Sequence, residues 1–288
     1  MPKTGMNNAE NNSDIKIVMG RITYINMDPV YYGLKNDQYP KWIKMVDDVP
    51  AVLNRMLSRG EIDISPVSAV AYARHADQWM VLPNLSIASR GKVMSVLLVS
   101  KCPIDRLNDQ KVILTNESAT SVDLLHLIFK LKGIHPHLER GKVNSPGDLP
   151  ADAQAALVIG DTALREPWHG AYEYVFDLGQ LWQDMTGLPF VFALWAVRRA
   201  IVERHPEIVA SIVQLFKQSK EKGNAHRSEI ITAAAQKLGL DRTICRKYYE
   251  HLICDLGHAE IKGAETFFKL LFENKILDQP VRLSFFGC

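Results

Sequence analysis

The stretch Gly20-Arg21-Ile22-Thr23-Tyr24-Ile25-Asn26-Met27-Asp28-Pro29-Val30-Tyr31-Tyr32-Gly33-Leu34 decides how the rest of the chain is read. An apolar run, Ile15-Lys16-Ile17-Val18-Met19, precedes it and reads as a first strand. Asp28 then has the character of a helix N-cap, with Pro29 at the first helical position, where its missing N–H costs nothing. Asn26 is therefore expected in the loop that carries the chain from strand to helix. In open α/β sheets, the crevice beyond such strand ends is where ligands bind. Two readings of Asn26 follow: a turn former, as Asn often is, or a carboxamide that meets a polar ligand.

Outward from that stretch, strand and helix signals alternate. Residues 41–46 read as a strand and 48–59 as a helix, with Val52, Leu53, Met56 and Leu57 on one face and Gly60 at its C-cap. Residues 62–65 read as a third strand, with Pro66 opening the next helix. This puts Ser65 and Ser68 at a second strand-to-helix junction beside Asn26. Strands are expected at 80–89, ending on Ser89, and at 92–100. The second of these is nearly all apolar, as a strand buried on both faces should be, with Ser95 its one polar interior side chain. From Pro103 the chain alternates again: strands at 112–115, 155–159, 175–178 and 190–197, and helices at 120–131 and 179–185. Thr120-Ser121-Val122-Asp123 has the form of a capping box, which places a helix start at Thr120. After Arg198 the pattern is almost wholly helical, over 205–222, 228–238, 242–252 and 259–273.

This order implies an α/β protein of two lobes. Residues 15–102 with 198–288 would form one lobe and residues 103–197 the other, with a ligand cleft between them. Residues 1–14 are polar and Asn-rich, and read as a disordered leader with no export signal. The chain has 288 residues, 34 basic against 32 acidic, and is 47% hydrophobic, so neither nucleic acid nor a membrane surface is called for as a partner. No apolar run approaches a membrane span. Cys102, Cys245, Cys254 and Cys288 are widely spaced, which fits reduced thiols in a cytoplasmic protein.

No H-E-x-x-H, G-x-S-x-G, G-x-G-x-x-G or Walker loop occurs, so the sequence names no metal or cofactor. It offers instead uncharged polar groups at strand ends and helix starts: Asn26, Ser65, Ser68, Ser89, Ser95, Thr120 and Ser121. The amides at the start of the Thr120 helix favour an anion through hydrogen bonds and the helix dipole. This set suits an acidic small molecule, with Arg21 as a cationic alternative for one carboxylate. Asp161, after Gly160, reads either as a helix cap or as an acid or base in the cleft.

Several stretches together resemble the chorismate dehydratase family of the futalosine route to menaquinone. They are Gly20–Asn26 with Pro29–Leu34; Gly60-Glu61-Ile62-Asp63 with Ser68 and Tyr72; and Ser118-Ala119-Thr120-Ser121. Further on come Leu157-Val158-Ile159-Gly160-Asp161-Thr162-Ala163-Leu164, Thr186-Gly187-Leu188-Pro189-Phe190-Val191-Phe192-Ala193, and Tyr248-Tyr249-Glu250 through Gly263 to Phe267-Phe268. The family often has Ser-Tyr-Leu-Asn-Thr where this chain has Thr23-Tyr24-Ile25-Asn26-Met27, and Thr23 keeps the hydroxyl.

The resemblance implies a fold like the type II periplasmic binding proteins. It also implies dehydration of chorismate to 3-[(1-carboxyvinyl)oxy]benzoate, without a cofactor. On this footing Asn26 and Ser95 are the expected catalytic side chains. The proton acceptor is either Asp161 or the substrate's own enolpyruvyl carboxylate. Ser65, Ser68, Ser89, Thr120, Ser121 and Arg21 are the expected binding residues. Two other classes stand beside this one. One is 1,4-dihydroxy-6-naphthoate synthase of the same pathway; the other is a small-anion binding protein of the same fold, which would ordinarily carry an export signal.

Overall fold

The computed structural model describes residues 15–35 and 38–287; the leader expected over residues 1–14 and Cys288 lie outside them. β1 (Ile17–Arg21) leads through a 3-10 turn at Ile25–Met27 into the single-turn α1 (Asp28–Tyr31). β2 (Ile43–Asp47), α2 (Pro50–Arg59), β3 (Ile64–Ser68), α3 (Ala69–Arg74) and the long β4 (Trp79–Ser89) follow. Next come β5 (Val96–Ser100), β6 (Lys111–Leu114), α4 (Ala119–Lys132), β7 (His137–Arg140) and β8 (Ala153–Ile159). α5 (Gly160–Arg165), α6 (Trp168–Ala171), β9 (Tyr174–Asp177), α7 (Leu178–Thr186) and β10 (Phe190–Arg198) complete the middle of the chain. The rest is α8 (Arg199–Arg204), α9 (Pro206–Ala225), α10 (Arg227–Leu238), α11 (Arg242–His251), the short β11 (Leu252–Ile253) and α12 (His258–Glu273).

Two mixed sheets organise these elements. One has six strands in the order β11-β4-β10-β3-β1-β2, the other five in the order β7-β6-β8-β5-β9. In the first, β1 runs parallel to β2 and β3, while β10 pairs antiparallel with β3 and β4. In the second, β6 is parallel to β7 and β8, and β5 is antiparallel to β8 and β9. One continuous apolar core runs from β1, β3, β4 and β10 through α12 and on into α4 and β6. A smaller cluster around Val99, Val158 and Trp168 covers the other face of the second sheet.

Local signals set many element ends. Gly60 ends α2 in the left-handed region, at φ 75°, where a side chain would be strained. Gly20 permits close approach instead: a Cβ there would fall 2.5 Å from Ser65 Oγ. Other ends differ from expectation. Asp28 is the first residue of α1 and caps nothing; its carboxylate lies 3.4 Å from Lys35 Nζ. Pro66 does not open a helix but sits within β3 opposite Trp195 of β10, and Ser68 caps α3 by accepting from the Ala71 N–H. α4 starts at Ala119, not Thr120, because the Ser118 hydroxyl accepts from the Ser121 N–H.

The expected lobe division put β5 with the first sheet and β10 with the second. Strand pairing places each on the opposite sheet. Both strands are apolar throughout their interior, so composition alone does not distinguish their sheets. On this pairing we propose crossings at residues 90–95 and 178–189, in place of boundaries at 102/103 and 197/198. No helix among the described residues is long and apolar enough to cross a membrane.

Candidate active site

A cleft opens where the two sheets meet. Its polar wall is made by Tyr24, Asn26, Ser68, Ser95, Glu117, Ser118 and Ser121, and its apolar wall by Ile22, Ile87, Val93 and Phe192 among others. Strand ends, a 3-10 turn and a helix start bring these groups together. Among the described residues, no Lys, Arg or His lines it.

The Asn26 turn is fixed by its backbone. The Tyr24 carbonyl accepts from the Met27 N–H at 3.1 Å, and the Tyr249 hydroxyl donates to the Ile25 carbonyl at 2.9 Å. Asn26 Oδ1 is buried and has no hydrogen-bond partner among the described residues. A buried carbonyl oxygen left unpaired costs about 1–3 kcal/mol, and such groups are rare. In a cleft wall it is an acceptor that a ligand hydroxyl would satisfy.

Ser95 lies just before β5 rather than inside a strand. The backbone approaches it through Met94, at φ 63°, which side chains seldom adopt. Asp177 holds that conformation by accepting from the Val93 and Met94 N–H groups, the latter at 2.7 Å, while also capping α7. Burial pushes the Asp177 carboxyl above the usual range, and its four backbone donors work the other way. The Gly160 N–H donates to the Ser95 carbonyl at 2.8 Å. Ser95 is thus held by the start of α5, beside the five-stranded sheet.

The start of α4 completes the polar wall. Ser118 Oγ donates to Ser121 Oγ at 2.9 Å, which leaves the Ser121 hydroxyl hydrogen free to donate outward. The first-turn amides of α4 have no acceptor within the helix. Donors and dipole together favour negative charge at this point.

Of the residues expected from sequence, Asn26, Ser68, Ser95 and Ser121 line the cleft; Ser65, Ser89, Thr120, Arg21 and Asp161 do not. Each of these five is engaged elsewhere. The Ser65 hydroxyl donates to the Pro66 carbonyl at 3.0 Å, and the Ser89 hydroxyl to the Gly91 carbonyl at 3.0 Å. Thr120 Oγ1 accepts from the Val70 N–H at 2.8 Å, joining α4 to α3. Arg21 is bound in two-point fashion by Asp47, at 2.7 and 2.6 Å. Asp161 neither caps α5 nor reaches the cleft. It accepts from the Ile25 N–H at 3.4 Å, and Lys237 Nζ lies 3.7 Å away. Burial raises its carboxyl above the usual range, with Lys237 opposing.

Sequence reasoning gave no role to Tyr24 or Glu117, and missed Ser118 as a cap. The S-x-x-S spacing of Ser118 and Ser121 was a usable signal. The Tyr24–Glu117 pairing, across 93 residues, left none. Among the described residues, no three His, Cys, Asp or Glu side chains cluster as metal ligands would.

Comparison with known proteins bears on the family and the fold. A family model described as menaquinone biosynthesis matches residues 17–273. A chorismate dehydratase of Thermus thermophilus is 33% identical, over 88% of this chain and 94% of its own length. A 1,4-dihydroxy-6-naphtoate synthase of the same organism is 26% identical, over 73% of this chain and 76% of its own. Among solved structures, an Archaeoglobus fulgidus protein superposes with a TM-score of 0.74 at 17% identity, covering 92% of this chain and all of that one. The periplasmic aliphatic sulphonate binding protein SsuA of Escherichia coli does so with a TM-score of 0.63 at 15% identity, covering 93% and 90%. The fold is therefore of the periplasmic-binding-protein kind. With a model match over nearly the whole chain and a relative one-third identical along it, the protein belongs to the menaquinone-biosynthesis family.

Proposed function

We propose that this protein is a chorismate dehydratase, a carbon–oxygen lyase that removes water from chorismate to give 3-[(1-carboxyvinyl)oxy]benzoate. The observation that carries the reading is the unpartnered Asn26 Oδ1 in a cation-free cleft whose anion site is a helix start. The similarity to a curated chorismate dehydratase supports it over the naphthoate synthase, whose match is weaker.

The chemistry asks for little that such a cleft lacks. The hydrogen to be removed is on the ring carbon that bears the enolpyruvyl ether. Breaking that C–H bond sends its electron pair through the ring double bond toward the ring carboxylate. The Ser121 hydroxyl and the Ala119 and Thr120 amides at the start of α4 stabilise the charge that builds there, and they count for more in a water-excluded site. The carbon–oxygen bond to the ring hydroxyl then breaks, the ring becomes aromatic, and the departing hydroxide takes the proton to leave as water. Asn26 Oδ1 accepts a hydrogen bond from that hydroxyl and orients it, while the Ser95 hydroxyl donates to the leaving oxygen.

Of the two proton acceptors considered from sequence, the substrate's enolpyruvyl carboxylate is the one we favour. It hangs from the carbon that loses its proton, whereas Asp161 is occupied by Ile25 and Lys237. The test is incubation of purified protein with chorismate while aromatic absorbance is followed. An aromatic product that retains the enolpyruvyl group supports the reading. A protein that binds chorismate without turning it over would make it a binding protein of the same fold.

A further inference from the structure

Tyr24 and Glu117 belong to different halves of the molecule. Tyr24 lies between β1 and the Asn26 turn, and Glu117 between β6 and α4. The Tyr24 hydroxyl donates to Glu117 Oε2 at 2.6 Å, and both side chains line the cleft. The Tyr24 ring is also held against the start of α5, where a Cβ on Gly160 would lie 3.6 Å from it. Burial and the Glu117 contact push the phenol above its ordinary value, so it stays protonated and can donate. The Tyr24 carbonyl closes the turn that presents Asn26.

With this contact made, the cleft encloses only about 70 Å³. Small-molecule pockets are typically about 300–1,000 Å³. A ligand of chorismate's size enters only if the two sides separate, and the Tyr24–Glu117 bond is a polar contact that spans them.

We propose that the Tyr24–Glu117 hydrogen bond is a latch across the cleft, broken on ligand entry and remade on closure, that seats the Asn26 turn for reaction. It rests on the function proposed above and makes Tyr24 and Glu117 positioning residues rather than catalytic ones. Closure then assembles the site around the substrate instead of merely covering it.

The test compares Tyr24→Phe, Glu117→Ala, Glu117→Gln and the Tyr24→Phe/Glu117→Ala pair in chorismate turnover, with hydrogen exchange of residues 24–27 as a readout independent of activity. Tyr24→Phe and Glu117→Ala should each lower kcat about tenfold while KM moves less than about threefold. The double variant should be no worse than either single, since both remove one bond. Glu117→Gln keeps an acceptor oxygen and should retain more than about a third of kcat. Exchange at the Ile25 and Met27 amides should rise in Tyr24→Phe.

Additive losses in the double variant, or wild-type kcat in Tyr24→Phe, would overturn the latch. So would a Glu117→Gln enzyme as inactive as Glu117→Ala, because the carboxylate would then be acting as a base. Wild-type protein inert toward chorismate would defeat the proposed function instead. The exchange measurement would still decide the latch, with unchanged protection at 24–27 counting against it.

Discussion

The cleft is closed on one side by scattered polar contacts and on the other by packed core. On the side of the Asn26 turn, the sheets meet through the Tyr24–Glu117 hydrogen bond and through Asp161, which reaches the Ile25 N–H at 3.4 Å and Lys237 at 3.7 Å. Lys237 is about half exposed, so its ion pair is worth little. On the far side α4 packs on α3 and α12. There Leu124, Leu127 and Ile128 share one core with Phe267 and Phe268. Thr120 accepts from the Val70 N–H within that junction, and Arg74 meets the largely buried Asp123 at 2.6 Å. Burial of apolar area contributes about 25 cal/mol per Å², so separating the far side would cost far more than breaking two or three polar contacts. The far side is a fixed joint and the near side a door. Function on this account is placed on the near side and at the exposed start of α4, and stability in the packing of α4 on α3 and α12.

The largest effect that would break this comparison comes from the near side. Asn26→Ala should lower kcat about a hundredfold or more with little change in KM, and leave the thermal midpoint within a few degrees. Loss confined to KM would mean that Asn26 only binds. Ser121→Asp should raise KM about tenfold or more, because it sets a negative charge against an anionic ligand at the start of α4. An unchanged KM would move the anion site off that helix.

A far-side change should do the reverse. Arg74→Ala leaves the Asp123 carboxylate without its ion-pair partner and should cost about 1–3 kcal/mol of stability in denaturant unfolding, with kcat at 25 °C close to wild type. A large kcat loss at full stability would erase the distinction between the two sides. The smallest effect expected is that of Asp161→Asn, which keeps an acceptor for the Ile25 N–H and loses only a weak ion pair. Turnover should fall less than about tenfold. An inactive Asp161→Asn that still folds and binds chorismate would make Asp161 the proton acceptor.

Most of the strands and helices were legible in the sequence because they rest on local patterns. Gly60 and Gly133 both end helices in the left-handed region, as their positions suggest. The helices after Arg198 follow their apolar periodicity closely. Errors arose where a local signal competed with a distant partner. Thr120-x-x-Asp123 has the form of a capping box, yet Asp123 turns to Arg74 and Thr120 to Val70, while Ser118 caps the helix. Pro66 reads as a helix opener, but β10 pairs along β3 on both sides of it. Of the site, the Asn26 turn and Ser121 could be read from strand-to-helix spacing and from the family resemblance. Ser65, Ser89 and Arg21 sit near the right strand ends but direct their polar atoms to Pro66, Gly91 and Asp47. Tyr24 and Glu117 could not be paired from sequence, since only the meeting of the two sheets brings them together.

The most direct test of the account is a proton NMR time course of purified protein with chorismate. The account predicts that the ring signals of chorismate give way to four aromatic ring protons while the two vinyl protons of the enolpyruvyl group persist, and that Asn26→Ala slows this change about a hundredfold or more. Chorismate unaltered by the wild-type protein, or loss of the vinyl protons along with aromatisation, would contradict it.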